Sequence, residues 1–203
     1  MKLYELATTP SARRVNLFLA EKGIEIERVP VDVRAGANLT DEFRAMSANG
    51  RIPLLALDDG GYLCESVAIC RYLDELYPDD LALFGASPLE RARVEMWQRI
   101  VELDGLLPAF QAFRNLSRIY QDRENCVEAW GHESRARLQA FLPRLEQRLG
   151  ESPYLAGERY SIADISAYVL MGFLPRLEIE VASMPHIQRW LARVSQRPAL
   201  GGG

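Results

Sequence analysis

Length, composition and charge exclude several classes of protein. The chain has 203 residues, of which 48 % are hydrophobic, so it can bury a core as one domain or as two small domains. Its net charge is −4, and its basic residues are scattered among acidic ones, which argues against a nucleic-acid-binding surface. The longest apolar stretch, near residues 165–175, is much shorter than the roughly 20 residues that span a bilayer.

The cysteines point to a reducing compartment. Cys64, Cys70 and Cys126 are odd in number and show no paired spacing, which favours free thiols over a disulfide framework. The N-terminal sequence also lacks the basic and apolar segments of a secretion signal, so we expect a cytoplasmic protein. Cys70 and Cys126 are predicted to be small buried side chains.

The first part of the chain alternates between strand and helix signals. The predicted elements are a strand at 2–6, a helix at 12–22, a strand at 26–33, a helix at 40–46, strands at 53–57 and 62–64, and a helix at 66–77. Thr40 is a predicted helix cap, and Asp59-Gly60-Gly61 is typical of a hairpin turn. The order β-α-β-α-β-β-α is that of a thioredoxin-like α/β domain, which we assign to residues 1–79.

The second part of the chain has helical periodicity from Pro88 onward. A long helical region reaches about Tyr120, and Gly105 and Pro108 predict a kink within it. Further helices are predicted at 125–149 and 185–196. The sequence therefore favours an all-α domain over residues 88–203.

Two local signals near the C-terminus complete the prediction of the fold. The stretch YSIAD forms a capping box, because Ser161 precedes Asp164 by three residues at the start of an apolar helix. The terminal Gly201-Gly202-Gly203 is predicted to carry no information about the fold.

Four motifs in this order resemble the glutathione transferase superfamily. TTPSARRV (8–15) is similar to the active-site turn of that superfamily, and GRIPLL (50–55) to the loop that holds a cis-proline. CESVAICRYLDELYP (64–78) is similar to the Glu-Ser motif that opens the third helix, and YLAGERYSIADI (154–165) to the C-terminal capping box. The resemblance covers nearly the whole chain. It implies a thioredoxin-like domain that binds glutathione, followed by an all-α helical bundle that forms the second-substrate site.

The Thr-Pro pair in the first motif resembles the bacterial and fungal groups of the superfamily, Nu-like or theta-like, rather than the classes that use a tyrosine or a cysteine. Matching the helix starts places the catalytic hydroxyl at Thr9, with Ser11 and Thr8 as alternatives. A transferase must stabilise the glutathione thiolate, which a helix N-terminus and a hydroxyl donor can do together. Considered without the resemblance, Thr9 would more often be only a helix cap.

The resemblance also assigns the contacts to glutathione. Ile52, before Pro53, would pair through its main chain with the cysteinyl part. Glu65 and Ser66 would hold the γ-glutamyl end, with Ser66 as the helix cap; an ordinary cap after a surface glutamate is the alternative. The glycyl carboxylate is less clearly served, and the candidates are Asn38 and Arg51, both of which could be plain loop residues.

A stripe on the first long helical region predicts the second-substrate site. Phe110, Phe113 and Ser117 recur at three- and four-residue steps, with Arg114 beside them. Such a stripe is more often core than pocket, but an open one would accept a small hydrophobic electrophile.

These observations predict a glutathione S-transferase that conjugates glutathione to an electrophile, as in detoxification, and that forms a homodimer. A glutathione-dependent disulfide reductase and a non-catalytic glutathione-binding protein remain as alternatives. No metal is expected, because His132 and His186 lack partners at metal-ligand spacing. Neither nucleic acid nor a membrane is expected as a partner.

Overall fold

The computed structural model describes residues 1–200, and the prediction for the terminal glycines concerns residues outside that range. The described chain divides into two compact units, one from Met1 to Ala82 and one from Leu83 onward. Each unit has its own buried core.

Unit 1 contains a four-stranded mixed sheet and three helices. Its elements are β1 (Lys2–Glu5), α1 (Pro10–Lys22), β2 (Glu27–Pro30), α2 (Asp41–Met46), β3 (Leu54–Ala56), β4 (Tyr62–Cys64) and α3 (Ser66–Leu76). The strand order is β2-β1-β3-β4, with β2 parallel to β1 and with β3 and β4 antiparallel to their neighbours. This arrangement confirms the thioredoxin-like order of elements predicted from the sequence.

The second strand is shorter than predicted. It ends at Pro30, and only the N–H of Val31 continues the pairing, donating to the carbonyl oxygen of Glu5 at 2.8 Å. The carboxylate of Asp32 then accepts hydrogen bonds from the N–H groups of Arg34 and Ala35, at 2.9 and 3.0 Å. Such a local turn competes with strand pairing, which explains why the apolar run does not extend the strand to residue 33.

The sheet of unit 1 is covered on both faces. On one face Val31, Phe43 and Leu54 form a buried cluster, with Tyr4 against Phe43 at a ring separation of 6.4 Å. Side chains alternate along a strand, so the fully buried pair Leu3 and Leu55 points to the opposite face. The two remaining helices, α1 and α3, pack against each other.

The regular secondary structure of unit 2 over its described residues is helical, apart from one isolated β-bridge between Tyr154 and Gly157. Its helices are α4 (Pro88–Ile100), α5 (Leu107–Ser117), α6 (Glu128–Glu151), α7 (Ile162–Phe173) and α8 (Pro185–Val194). The most buried helix is α7, which has an apolar or small residue at almost every position. The predicted all-α second part of the chain is confirmed.

A π-helical segment, Val101–Leu106, stands where the sequence predicts a kink between α4 and α5. A Cβ atom on Gly105 would lie 2.7 Å from Leu170 Cδ2, so only glycine allows this close approach. The long helical region that begins at Pro88 is also shorter than predicted. It ends at Ser117 rather than near Tyr120, because Arg118 adopts a left-handed conformation with φ of 54°.

The predicted capping box at the start of α7 is confirmed and extends further than the motif implies. The buried carboxylate of Asp164 accepts hydrogen bonds from the N–H and the hydroxyl of Ser161, at 3.1 and 3.0 Å. It also accepts from the N–H of Leu155 and from the indole of Trp190 on α8, both at 3.0 Å. Asp164 therefore joins three segments of unit 2.

Burial raises the pKa of the Asp164 carboxyl to about 6, although its hydrogen bonds act in the opposite direction.

No helix in residues 1–200 combines the length and the apolar character that crossing a membrane requires.

We expect Asp164→Asn to lower the free energy of unfolding of unit 2 by about 3 kcal/mol at neutral pH, because the amide turns an NH₂ group toward hydrogen-bond donors. The folded-state pKa of Asp164 lies above its unfolded value of about 3.9. Its titration therefore stabilises the fold most at low pH, and this contribution disappears as the pH rises from about 4 to about 6. Denaturant unfolding across this range should show that the difference in free energy of unfolding between the unmodified protein and Asp164→Asn becomes smaller as the pH rises.

Glu151→Gln is the control. The side chain of Glu151 is 55 % exposed and pairs with Arg148 at 3.7 Å, and such a pair contributes less than about 1 kcal/mol. Equal losses in the two variants would contradict the role assigned to Asp164.

Candidate functional site

The strand register brings three of the sequence motifs to one end of the sheet in unit 1. Tyr4, Leu54 and Cys64 lie side by side on β1, β3 and β4. The turn after β1 leads to Thr9, the residue before Leu54 is Pro53, and the residue after Cys64 is Glu65. Neighbouring strands are separated by about 4.8 Å, so these segments form one cluster of loops and helix starts.

Thr9 is the N-terminal cap residue of α1, but its side chain does not cap the helix. Its backbone is extended, with φ of −82° and ψ of 145°, as the position before Pro10 requires. The hydroxyl instead donates a hydrogen bond to the carbonyl oxygen of Leu6 at 2.8 Å. The Thr9 oxygen therefore accepts no hydrogen bond from the helix, unlike the side chain of an ordinary threonine cap.

The start of α1 nevertheless presents backbone donors. Pro10 has no N–H, and the N–H of Arg13 donates to the Thr9 carbonyl at 2.9 Å. The first-turn N–H groups of Ser11 and Ala12 have no helical carbonyl to which they could donate. Together with the half-buried Ser11 hydroxyl, they form a small positive pole at the end of β1.

The peptide bond between Ile52 and Pro53 is cis, as the resemblance implies. Strand pairing ends at Leu54, so the backbone of Ile52 lies just beyond the last pair of the sheet. The preceding loop is fixed by the buried Ser47, whose hydroxyl oxygen accepts a hydrogen bond from the N–H of Arg51 at 3.2 Å. An extended peptide could pair with the main-chain groups of Ile52.

Glu65 holds an unusual backbone conformation at the start of α3. Its φ is 67°, in the left-handed region that non-glycine residues rarely adopt. Its exposed carboxylate accepts a hydrogen bond from the side-chain amide of Asn49 at 2.8 Å. Strained residues of this kind are concentrated at functional sites.

Ser66 is the first residue of α3 and not its cap, which corrects the sequence prediction. The cap position belongs to Glu65, whose left-handed backbone turns the chain so that the helix begins one residue later. The hydroxyl of Ser66 is buried and accepts a hydrogen bond from the Arg14 guanidinium on α1 at 2.6 Å.

The two candidates for the glycyl carboxylate have different surroundings. The side-chain amide of Asn38 donates to the carbonyl oxygen of Gly50 at 2.7 Å and so ties two loops together. Its Oδ1 atom is buried without a partner among the described residues, and an acceptor cannot bind a carboxylate. Arg51 is exposed at the edge of the same loop.

The four predicted second-substrate residues share α5 in unit 2. Phe110 and Phe113 are half-buried and meet the ring of Phe173 edge-on, at 5.2 and 5.3 Å. Arg114 forms an ion pair with Glu124 and stacks over Tyr120 at 5.0 Å, so its charge is already partnered. Ser117 is exposed at the end of the helix.

The cysteines of the described chain are free. Cys70 is buried as predicted, and burial raises the pKa of its thiol, while Cys126 is only half-buried. No group of three or more His, Cys, Asp or Glu residues within residues 1–200 could hold a metal ion.

Sequence reasoning missed two residues at this site. Arg14 is buried on α1. Its position four residues before the core residue Phe18, on the same face of the helix, is the one signal in the sequence that could have indicated its burial. Asn49 lies in a loop without periodicity, and its bond to Glu65 spans 16 residues of sequence. No local pattern could have revealed this second contact.

Comparison with known families agrees with the two-part fold. Residues 8–76 match the glutathione S-transferase N-terminal domain, and residues 99–198 match the glutathione S-transferase C-terminal domain. The chain therefore belongs to the glutathione S-transferase superfamily.

Three relatives show the range of proteins that this chain resembles. A Gtt2-class glutathione S-transferase of Vibrio parahaemolyticus has a crystal structure with a TM-score of 0.89 and 56 % identity, covering 100 % of this chain and 96 % of that one. The maleylacetoacetate isomerase of Pseudomonas aeruginosa is 32 % identical over 98 % of this chain and 93 % of its own. The disulfide-bond oxidoreductase YfcG of Escherichia coli is 32 % identical over 96 % of this chain and 90 % of its own.

Substitution of Glu65 tests the strain at the start of α3. We expect Glu65→Gly to be more stable than Glu65→Ala by about 1 kcal/mol, because only glycine adopts positive φ without steric cost. Both variants lose the carboxylate and its bond to Asn49, so their difference isolates the backbone. Thermal or denaturant unfolding measures it, and the ordinary order, with alanine more stable than glycine, would show that residue 65 is unstrained.

Proposed function

We propose that this protein is a glutathione S-transferase that binds glutathione on unit 1 and activates its thiol at the start of α1. The observation that carries the proposal is the convergence of three features at one end of the sheet: the start of α1, the backbone of Ile52 and the start of α3. The start of α1 suits a thiolate, the backbone of Ile52 suits an extended peptide backbone, and the start of α3 suits a γ-glutamyl group. Glutathione carries these groups in the corresponding order.

The contacts along glutathione follow from this arrangement. Ser66 and the first N–H groups of α3 bind the α-carboxylate of the γ-glutamyl end, and Glu65 binds its ammonium group. Ile52, beside cis-Pro53, pairs with the cysteinyl backbone. Asn38 and Arg51 are proposed for the glycyl carboxylate. Arg51 supplies the charge, and Asn38 can donate only the second hydrogen of its amide, because the first already binds the carbonyl oxygen of Gly50.

Thr9 is proposed as the hydroxyl donor to the sulfur. Its O–H now donates to a neutral carbonyl, and a neutral hydrogen bond contributes about 1 kcal/mol, whereas a bond to a charged group contributes about 1.5 to 3 kcal/mol. Turning the hydroxyl from Leu6 to a thiolate is therefore favourable. Ser11, whose hydroxyl lies on the same turn, is the alternative donor.

In unit 2 the face of α5 that carries Phe110 and Phe113 is proposed to hold a small hydrophobic electrophile. The half-buried aromatic rings support an apolar substrate. Ser117 would contact it as a polar group. Arg114 would have to leave Glu124 before it could stabilise charge on the substrate.

The proposed reaction is conjugation of glutathione to an electrophile, as in detoxification. The proposed location is a reducing cytoplasm, which the three free cysteines support. Glutathione-dependent disulfide reduction is the second candidate, favoured by the similarity to YfcG. The two are separated by assaying an aryl halide and a small disulfide in parallel. Glutathione binding without turnover on either would favour a non-catalytic binding protein.

A homodimer is proposed from the surface of unit 2. This surface exposes an unusual row of large apolar side chains. They are Leu89 on α4, which is 60 % exposed, Leu103 on the π-helical segment, which is 49 % exposed, and Leu107 on α5, which is 47 % exposed. Leu103 and Leu107 also line a cavity of about 440 Å³, together with Trp130 and Phe141 of α6. A second copy of the chain would cover this face.

Substitution of Thr9 tests the thiol chemistry. The pKa of the thiol of bound glutathione, followed by its ultraviolet thiolate absorbance, should rise by about one to two units in Thr9→Val, since loss of a charge-assisted hydrogen bond removes about 1.5 to 3 kcal/mol. Thr9→Ser keeps the hydroxyl and should behave like the unmodified protein. An unchanged pKa in Thr9→Val, with a raised pKa in Ser11→Ala, would transfer the role to Ser11.

Sedimentation tests the proposed dimer. Leu103→Glu should weaken self-association at least about a hundredfold, because a carboxylate would be buried without a partner. Leu39→Glu, at the exposed end of the short 3-10 helix Ala37–Leu39 in unit 1, is the control and should leave the dimer intact. A monomeric unmodified protein at micromolar concentration would exclude this interface.

A further inference from the structure

Arg176 is a cation that lies against the aromatic cluster of the proposed electrophile site in unit 2. The ring of Phe173, at the end of α7, meets Phe110 and Phe113 of α5 edge-on. The guanidinium of Arg176 lies 5.9 Å from the ring centroid of Phe113 and 5.7 Å from that of Phe173. Both distances allow a cation–π contact, so the cluster has a positive group at one side.

The backbone holds Arg176 in place. The residue belongs to the short 3-10 helix Leu174–Leu177, which follows α7, and the leucines at both ends of this helix are buried. The N–H of Glu178 donates to the carbonyl oxygen of Pro175 at 3.1 Å and closes the turn. The anchored backbone and the ring contacts restrict the side chain, so a ligand that binds the guanidinium loses less entropy in ordering it.

The charge of Arg176 has no acidic partner. Within residues 1–200 its guanidinium forms neither an ion pair nor a hydrogen bond, and the side chain is exposed. By contrast, Arg114 on α5 is paired with Glu124. Aromatic rings accept no conventional hydrogen bond from a guanidinium, so the five N–H donors of Arg176 remain available to a ligand.

The rings and the cation together define a ligand by its chemistry. The rings favour a flat apolar group, and a guanidinium matches a carboxylate, with which it forms two parallel hydrogen bonds. An anion held against the rings is partly removed from water, and charges attract more strongly in such surroundings than in bulk solvent. A molecule that carries both an aromatic ring and a carboxylate satisfies both features, whereas a purely apolar molecule leaves the cation unused.

We propose that Arg176 is a specificity-determining residue that binds a carboxylate on the electrophile, so that acidic aromatic electrophiles are the preferred substrates. The inference rests on the proposed function, since it assumes that the face of α5 holds the electrophile. It goes further by naming the substrate class and by assigning the recognition of substrate charge to Arg176 rather than to Arg114.

The test compares two aryl chlorides, the acid 4-chloro-3-nitrobenzoate and its neutral amide 4-chloro-3-nitrobenzamide. In both, the glutathione thiolate attacks the carbon that bears chlorine, a C–S bond forms, and the C–Cl bond breaks as chloride leaves with the bonding electrons. Division by the uncatalysed rate removes the difference in intrinsic reactivity. On this scale the unmodified protein should favour the acid at least about tenfold, the gain that corresponds to one charge-assisted interaction.

Substitution of Arg176 should remove this preference. Arg176→Gln should lower kcat/KM for the acid at least about tenfold, mainly through a higher KM, because the carboxylate is bound equally in the ground and transition states. The amide should be unaffected. Arg176→Lys keeps the charge but not the paired donors, and it should recover part of the loss. Arg159→Gln removes an exposed arginine from the loop before α7 and is the matched control, which should leave both substrates unchanged.

Other outcomes would overturn the inference. Equal losses for acid and amide in Arg176→Gln would show a structural role, and the same loss for the acid in Arg159→Gln would show a general effect of charge. If the preference disappeared in Arg114→Gln and persisted in Arg176→Gln, the role would belong to Arg114.

Binding of the preformed glutathione conjugates of the two compounds, measured by calorimetry, separates the inference from the proposed function. If the unmodified protein conjugates neither compound, the proposed function fails. A selective loss of affinity for the acidic conjugate in Arg176→Gln would still support the carboxylate site. Equal affinities of the unmodified protein and Arg176→Gln for that conjugate would overturn it.

Discussion

The buried hydrogen bond from Arg14 to Ser66 joins the beginnings of two helices that approach the same end of the sheet. Helix starts carry unsatisfied N–H groups and partial positive charge, so two of them side by side form a surface that favours anions. The guanidinium of Arg14 connects the two helix starts from within unit 1. The anionic ends of a bound peptide, a carboxylate at α3 and a thiolate at α1, would each find one of these helix starts.

Most of the fold follows from short-range patterns. Thr40, the Asp59-Gly60-Gly61 turn and the YSIAD capping box lie where local chemistry alone determines the backbone, and the structure agrees with all three. The strand predicted at 26–33 failed at its end because Asp32 forms a local turn that an apolar pattern does not reveal. The helix predicted to reach Tyr120 failed because Arg118, not a glycine, adopts the left-handed conformation that ends it.

The candidate site was less accessible from sequence, because its decisive contacts span long separations. Arg14 and Ser66 are 52 residues apart, and Asn49 and Glu65 are 16 apart. The motifs located the segments, but they could not show that Ser66 accepts from a cation or that the Thr9 hydroxyl faces Leu6. Likewise, the stripe on α5 placed Arg114 beside the predicted second-substrate site, but it could not show that Glu124 and Tyr120 contact its guanidinium.

The most direct measurement is a crystal structure of the protein with glutathione bound. The account predicts that the sulfur lies within about 3.5 Å of the Thr9 oxygen, at hydrogen-bonding distance, and that the α-carboxylate contacts the Ser66 hydroxyl. A bound tripeptide whose sulfur points away from the start of α1, or whose α-carboxylate lies away from α3, would contradict it.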